Sequence, residues 1–168
     1  MAARESYVVM GVSGCGKTEI GSRLARALGV EFVEGDAYHS AANIEKMSAG
    51  VPLTDGDREG WLHAIGARIR RANASGECVV VSCSALKRSY RDTIRLQAGA
   101  VRFIFLRGER LLIASRLAER KDHYMPATLL DSQFAILEEP ASDEGVWVID
   151  INSSPDSIVD SLIARIGT

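Results

Sequence analysis

Short runs of β-branched and aromatic residues recur along the chain at Tyr7–Met10, Phe32–Glu34, Cys78–Ser82, Val101–Leu106 and Val146–Ile151. Runs such as Val79-Val80-Val81 do not alternate apolar with polar, which suits strands buried on both faces of a parallel sheet. Between the runs, apolar residues return at helical spacing. Ile20, Leu24 and Leu28 mark Lys17–Leu28, and Trp61, Ile65 and Ile69 mark Glu59–Arg71. Leu86, Tyr90 and Ile94 repeat the pattern, as do Leu130, Phe134 and Leu137 with one tighter step. A last segment carries Ile158, Val159, Leu162, Ile163 and Ile166. Ser154 before it is a good N-cap, and Pro155 suits the first helical position. Strand–helix alternation with right-handed crossovers predicts an α/β fold: a parallel five-stranded sheet with helices on both faces. Ligands of such sheets bind at the carboxyl ends of the strands.

Two stretches interrupt the alternation. Residues 37–60 are polar and contain glycine, and residues 120–140 hold His123, Tyr124, Met125 and Pro126 before another helical pattern. Insertions of this kind in an α/β core often grip a substrate or close over it. The length of 168 residues predicts a single domain. With 20 Lys+Arg against 22 Asp+Glu, the net charge of −2 gives no bulk grip on nucleic acid or an anionic membrane. No apolar run approaches the ~18 residues of a membrane helix, and Met1–Ser6 lacks the shape of a signal peptide. Cys78 and Cys83 fall in one predicted strand, ~16 Å apart at strand rise, so they cannot bond to each other. The expectation is a reduced, cytoplasmic protein.

Gly11-Val12-Ser13-Gly14-Cys15-Gly16-Lys17-Thr18 matches the phosphate-binding pattern G-x-x-x-x-G-K-[ST] between an apolar strand and a periodic helix. In such a loop the backbone amides of Gly11, Ser13, Gly14, Cys15 and Gly16 turn toward phosphate oxygens. The following helix points its positive end at the same anion. Lys17 reaches the β- and γ-phosphates, and the Thr18 hydroxyl ligates magnesium. Glu19, next on the helix, counts among the nucleotide-side residues. It also stands where the dinucleotide pattern G-x-G-x-x-G needs its third glycine, so a nicotinamide enzyme is disfavoured. A guanine-reading [NT]-K-x-D motif is absent, and no strand ends in the paired acids of ATPase motors. A small phosphotransferase is the remaining class.

The acceptor side is read from polar residues after the second and third strands. Asp36 closes Glu34-Gly35-Asp36; there it accepts or orients a hydroxyl proton, or holds magnesium through water. His39, three residues on, is a hydrogen-bond donor to a polyol or carboxylate. Thr54-x-x-Asp57 is an imperfect capping box for the Trp61 helix. Arg58 in that helix's first turn opposes the dipole, which points to a nearby substrate anion. Ser82–Arg88 follows the third strand, with small residues permitting close approach and Lys87 and Arg88 supplying charge. Arg116, Arg120 and His123 fall at i, i+4 and i+7, one predicted helical face. Arg120 and Arg116 there either neutralise charge on the transferred phosphoryl group or stack on a base. Asn152 to Pro155 follow the last strand, where their backbone reads a base edge or simply caps a helix.

Taken together, the motifs resemble the gluconate kinases of the small thermoresistant type. The matching stretches are GVSGCGKTEIG, GDAYHSAANIEKMSAGVPLTDGDREGWL, VVVSCSALKRSYRD and RLAERKDHYMPATLLDSQFAILEEP, covering most of residues 10–140. The resemblance implies a P-loop, nucleoside-monophosphate-kinase-like fold with a substrate-binding insertion at 37–75 and a lid at 120–138. It implies ATP- and Mg²⁺-dependent phosphorylation of D-gluconate at its primary hydroxyl, in a homodimer. By the same token, Lys17, Asp36 and Arg120 are the catalytic residues. His39, Arg58, Lys87, Arg88, His123 and Gln133 join Asp36 on the substrate. Arg116, Asn152 and Pro155 join the loop on the nucleotide. The sequence departs from the family's usual pattern at Tyr38, Ser40 and Tyr124. Two other readings remain: a kinase for another small hydroxy acid such as shikimate, and a non-catalytic ATP-binding regulator. Against shikimate, the third strand is followed by SCSALK and not by a triple-glycine turn.

Overall fold

The computed structural model describes residues 5–120 and 127–167. Five strands, β1 Ser6–Met10, β2 Glu31–Glu34, β3 Val79–Ser82, β4 Val101–Arg107 and β5 Trp147–Asp150, form one sheet in the order β2-β3-β1-β4-β5. All four pairings are parallel. Seven helices run between and after them: α1 Lys17–Leu28, α2 Ala41–Ser48, α3 Asp55–Ala74, α4 Arg88–Ala98, α5 Arg110–Ala118, α6 Ala127–Ile136 and α7 Pro155–Ile166. The strand order reverses at β1, so the loop after β1 opens into the crevice where parallel sheets bind ligands.

The continuous apolar strands feed both faces because successive side chains point to opposite sides. Tyr7, Val9, Val80, Ile104 and Leu106 pack with Ile20 and Leu24 of α1 and with Ile158, Val159 and Leu162 of α7. Val8, Met10, Val79, Val81, Phe103 and Phe105 pack on the other side with Trp61, Leu62, Ile65 and Ile69 of α3 and Tyr90 and Ile94 of α4. Fully burying one such side chain contributes about 1.5–3 kcal/mol relative to leaving it exposed. The α7 start matches its sequence signal, with the Ser154 hydroxyl accepting from the Ser157 amide at 3.2 Å and Pro155 in the first turn.

Four elements differ from the sequence reading. Helix α2 lies in the stretch read as irregular; its cap, the Ser40 hydroxyl on the Asn43 amide, supports a helix that buries little besides Asn43 and so leaves no apolar stripe. Helix α3 begins at Asp55, four residues before Glu59, because Thr54 and Asp57 complete the capping box. The predicted Arg116–Arg120–His123 face does not form as one helix: α5 ends at Ala118, the Arg120 amide donates to the Leu117 carbonyl in a closing turn, and His123 lies outside the described residues. Leu86 likewise sits before α4, in a loop where Ala85 takes φ 43°, unique among the described non-glycine residues in being positive.

Candidate active site

The loop between β1 and α1 has the backbone that the sequence demands. Gly11, Gly14 and Gly16 hold φ of 145°, 84° and 102°, in or near a region that side chains disfavour. The Lys17 ammonium crosses the loop to the Val12 carbonyl at 3.0 Å. The Thr18 hydroxyl donates to Glu34 Oε2 at 2.7 Å, while the Ser82 hydroxyl donates to Glu34 Oε1 at 2.5 Å. Glu34 therefore ties the phosphate loop to the ends of β2 and β3. Gly35 permits this junction, since a Cβ there would lie 1.9 Å from the Ser82 carbonyl oxygen.

Next to the loop lies a cavity of about 160 Å³, well below the roughly 300 Å³ at which drug-sized pockets begin. Ser13 and Lys17 of the loop share it with Asp36, His39, Arg58, Ser84, Ser132 and Gln133. Each group is positioned from behind. The Asp36 carboxylate, 70% exposed, stands 3.8 Å from His39 Nε2. The His39 ring stacks on Trp61 with centroids 4.0 Å apart, and its Nδ1 meets Asn43 Nδ2 at 3.3 Å. Trp61 is itself fixed by its indole N–H on the Gly35 carbonyl at 2.8 Å. Arg58 donates to the Leu53 carbonyl at 2.6 Å and to the Tyr90 hydroxyl at 3.1 Å, with its guanidinium over the Tyr90 ring. Gln133 on α6 accepts from the Ser13 amide at 2.7 Å and donates to the Ser13 hydroxyl at 3.1 Å. It thus bridges the phosphate loop and the cavity wall.

On the far side of the loop, a depression of about 340 Å³ collects Gly14, Cys15, Gly16, Glu19, Arg116, Arg120, Ser153 and Pro155. Arg116 is anchored there by donating to the Ile151 carbonyl at 2.9 Å. The loop thus separates a larger chamber from a small one, both reached by the same helix N-terminus.

Not every residue singled out in the sequence joins these two spaces. Gly11 spends its amide on the Ser84 carbonyl at 3.2 Å. Lys87 pairs with Asp55 at 3.1 Å, and Arg88 forms a two-pronged pair with Asp143 at 2.8 and 3.1 Å. Neither lines the small cavity. Asn152 lines a different depression with Asp150, and its amide donates to the Asp150 carboxylate at 2.9 Å. Conversely, Glu34, Asn43 and Trp61 were not singled out. Glu34 had a visible signal, an acid closing the strand beside the phosphate loop. Trp61 and Asn43 had none, because a buried tryptophan at helical spacing reads as core.

Titration follows from these surroundings. Burial lowers the His39 pKa from its ordinary value; the Asp36 carboxylate raises it in part, and Arg58 lowers it further. The ring is neutral at pH 7. The unfolded chain takes this proton first, so the associated stability is present above ~6.5 and lost as pH falls through the lower folded value. An NMR titration of the His39 ring is expected to give a midpoint below ~6.5; a midpoint above that value would mean that Asp36 outweighs burial. Burial raises Cys15 and pushes Cys83 up to about 12, so neither thiol is a nucleophile at neutral pH.

A family model described as an AAA domain matches residues 7–140. The gluconokinase of Gluconobacter oxydans is 46% identical over 156 residues, 93% of this chain and 88% of that protein. A solved gluconokinase from Sinorhizobium meliloti is 46% identical, with a TM-score of 0.88 over 99% of this chain and 94% of its own. An unliganded sugar kinase from Janibacter reaches a TM-score of 0.92 at 40% identity, covering 97% and 94% of the two chains. A shikimate kinase from Aquifex aeolicus, at 12% identity and a TM-score of 0.60 over 96% of both chains, shares the fold alone. The P-loop α/β architecture, the loop's junction with Glu34, and identity spread over nine-tenths of the chain converge: this chain belongs to the gluconokinase family.

Proposed function

We infer that the chain transfers the γ-phosphoryl group of ATP to the primary hydroxyl of D-gluconate, giving 6-phospho-D-gluconate and ADP. The observation that carries this reading is the shared cavity: Ser13 and Lys17 of the phosphate loop face the same small space as Asp36, His39 and Arg58. A cation, a carboxylate and a neutral imidazole around one small volume suit an acid with several hydroxyls.

In this reading the adenosine portion of ATP lies in the larger depression between Arg116 and Pro155, and the phosphates pass along the loop. Arg58 and His39 hold the acceptor's carboxylate and hydroxyls. Asp36 takes the proton of the primary hydroxyl as its oxygen attacks the γ-phosphorus and the bond to the bridging oxygen of ADP breaks. Lys17 and Arg120 neutralise the charge on the transferred group. Thr18 and Glu34 place two hard oxygen donors side by side at the loop, a set that fits magnesium when phosphate oxygens and water complete the shell. Magnesium held there by Thr18 and Glu34 would supply charge neutralisation for the phosphates. Residues 37–75 serve as the substrate-binding insertion and residues 120–138 as the lid. The family resemblance extends the reading to a cytoplasmic homodimer.

A coupled assay for ADP release tests the assignment. Gluconate with ATP and magnesium is expected to give sustained turnover, while shikimate and other sugar acids give far less. Turnover with shikimate and not gluconate would replace the substrate. Tight ATP binding with no ADP release under any acceptor would make the chain a nucleotide sensor.

A further inference from the structure

The first turn of α4 carries Arg91, whose side chain is wholly buried although it touches neither the cavity nor the phosphate loop. Its guanidinium spends its donors on four partners. Nε and Nη2 clasp the two oxygens of Glu144 at 2.7 and 2.9 Å. Nη1 donates to the Ala85 and Leu86 carbonyls at 3.0 and 3.2 Å, and Nη2 also reaches the Glu138 carbonyl at 3.1 Å. Glu144 is equally saturated, accepting from the Ala141 amide at 2.9 Å and from Arg95 at 3.2 Å. Burial alone would raise its carboxyl pKa; the bonds from Arg91 and the Ala141 amide outweigh that and bring it to about 2.

Both segments held by Arg91 lead into stretches that line part of the small cavity. The first contains Ser84 and Leu86, both lining it, separated by Ala85 in its left-handed conformation. Ser84 also accepts the Gly11 amide of the phosphate loop at 3.2 Å. The second segment is the return from α6, the helix that contributes Leu129, Ser132, Gln133 and Ile136 to the same lining. The two segments also meet directly, where the Glu138 amide donates to the Leu86 carbonyl at 2.8 Å. An alanine at positive φ persists only when its surroundings over-determine it. Here the carbonyl of that same alanine is gripped by a buried fork that also holds the Leu86 and Glu138 carbonyls.

We propose that Arg91, backed by Glu144, is a positioning residue for the phosphate acceptor: it enforces the left-handed turn at Ala85 and fixes the gap between the β3–α4 loop and α6. A structural role alone predicts lost stability with normal kinetics in whatever remains folded. The positioning role predicts a selective loss of acceptor affinity. This rests on the proposed gluconate phosphorylation, so one readout is chosen to be independent of it.

The test compares wild type, Arg91→Lys, Glu144→Gln and the double variant Arg91→Lys/Ala85→Gly, each assayed well below its melting midpoint. Lysine keeps the charge and loses the planar fork. Arg91→Lys is expected to raise KM for gluconate by about tenfold or more, with KM for ATP moving less than about threefold. Adding Ala85→Gly restores part of the loss, because glycine takes positive φ without strain. Equal shifts in both KM values, unchanged values with a lower melting midpoint, or no restoration by glycine would each overturn the proposal. Should Arg91→Lys fail to fold, Glu144→Gln carries the same KM comparison. Amide hydrogen exchange needs no substrate. Arg91→Lys is expected to speed exchange at Gly11 and Glu138, whose amides bond the two ends of the held loop, and unchanged protection there overturns the proposal even if gluconate proves not to be the acceptor.

Discussion

Lys17→Ala is expected to reduce kcat by a factor on the order of 10³, the scale seen when one preorganised donor to transition-state charge is removed. Among the described residues, the ammonium's one hydrogen bond goes to the Val12 carbonyl at 3.0 Å, five residues back in the same loop. Losing such a bond costs about 1 kcal/mol. For a chain of this size that corresponds to a shift of roughly 2–4 °C in Tm. The expected signature is therefore a nearly unchanged melting curve with turnover almost abolished. A kcat within a few-fold of wild type would remove Lys17 from the reaction. A collapse of Tm would instead make it a structural strut, contrary to its place in the lining of the small cavity.

Asp36→Asn is expected to lower kcat by about 10²–10⁴, the range for a lost general base. The amide keeps the size and cannot take a proton. ATP affinity should stay near wild type, since Asp36 faces the small cavity and is not among the residues around the larger depression. A second consequence links this variant to His39. The Asp36 carboxylate is the influence that raises the His39 pKa against burial, so its removal should move the ring's titration midpoint down. Rapid-mixing kinetics and the His39 titration can be run on the same variant. An unchanged kcat would reduce Asp36 to the second residue of the 3₁₀ turn at Gly35–Tyr38.

Much of the architecture was legible because it is dictated by residue patterns of short range. Runs such as Val79-Val80-Val81 have one solution, a strand covered on both faces, and Ser154-Pro155 states where a helix starts. The phosphate loop was legible for the same reason: its glycines and its lysine are consecutive. Legibility failed where the deciding interaction joins distant segments. Helix α2 has no apolar stripe, so its existence rests on the Ser40 cap and on Asn43, which donates to the Asp57 carbonyl fourteen residues away at 2.7 Å. Lys87 and Arg88 looked like substrate cations because both partners, Asp55 and Asp143, lie more than thirty residues off in sequence. Arg91 was invisible for the opposite reason. A charged residue in a polar stretch reads as solvated, and only the fold reveals that it is buried with Glu144.

The sheet also separates two kinds of chemistry by strand. Central β1 carries the phosphate loop and is paired on both sides, while Asp36, which lines the small cavity, follows β2, which pairs with β3 alone at the sheet's rim. Changes around that rim can remodel which alcohol is admitted without disturbing the machinery that grips the triphosphate. A lineage built on this plan can therefore diverge in diet while conserving its energy source.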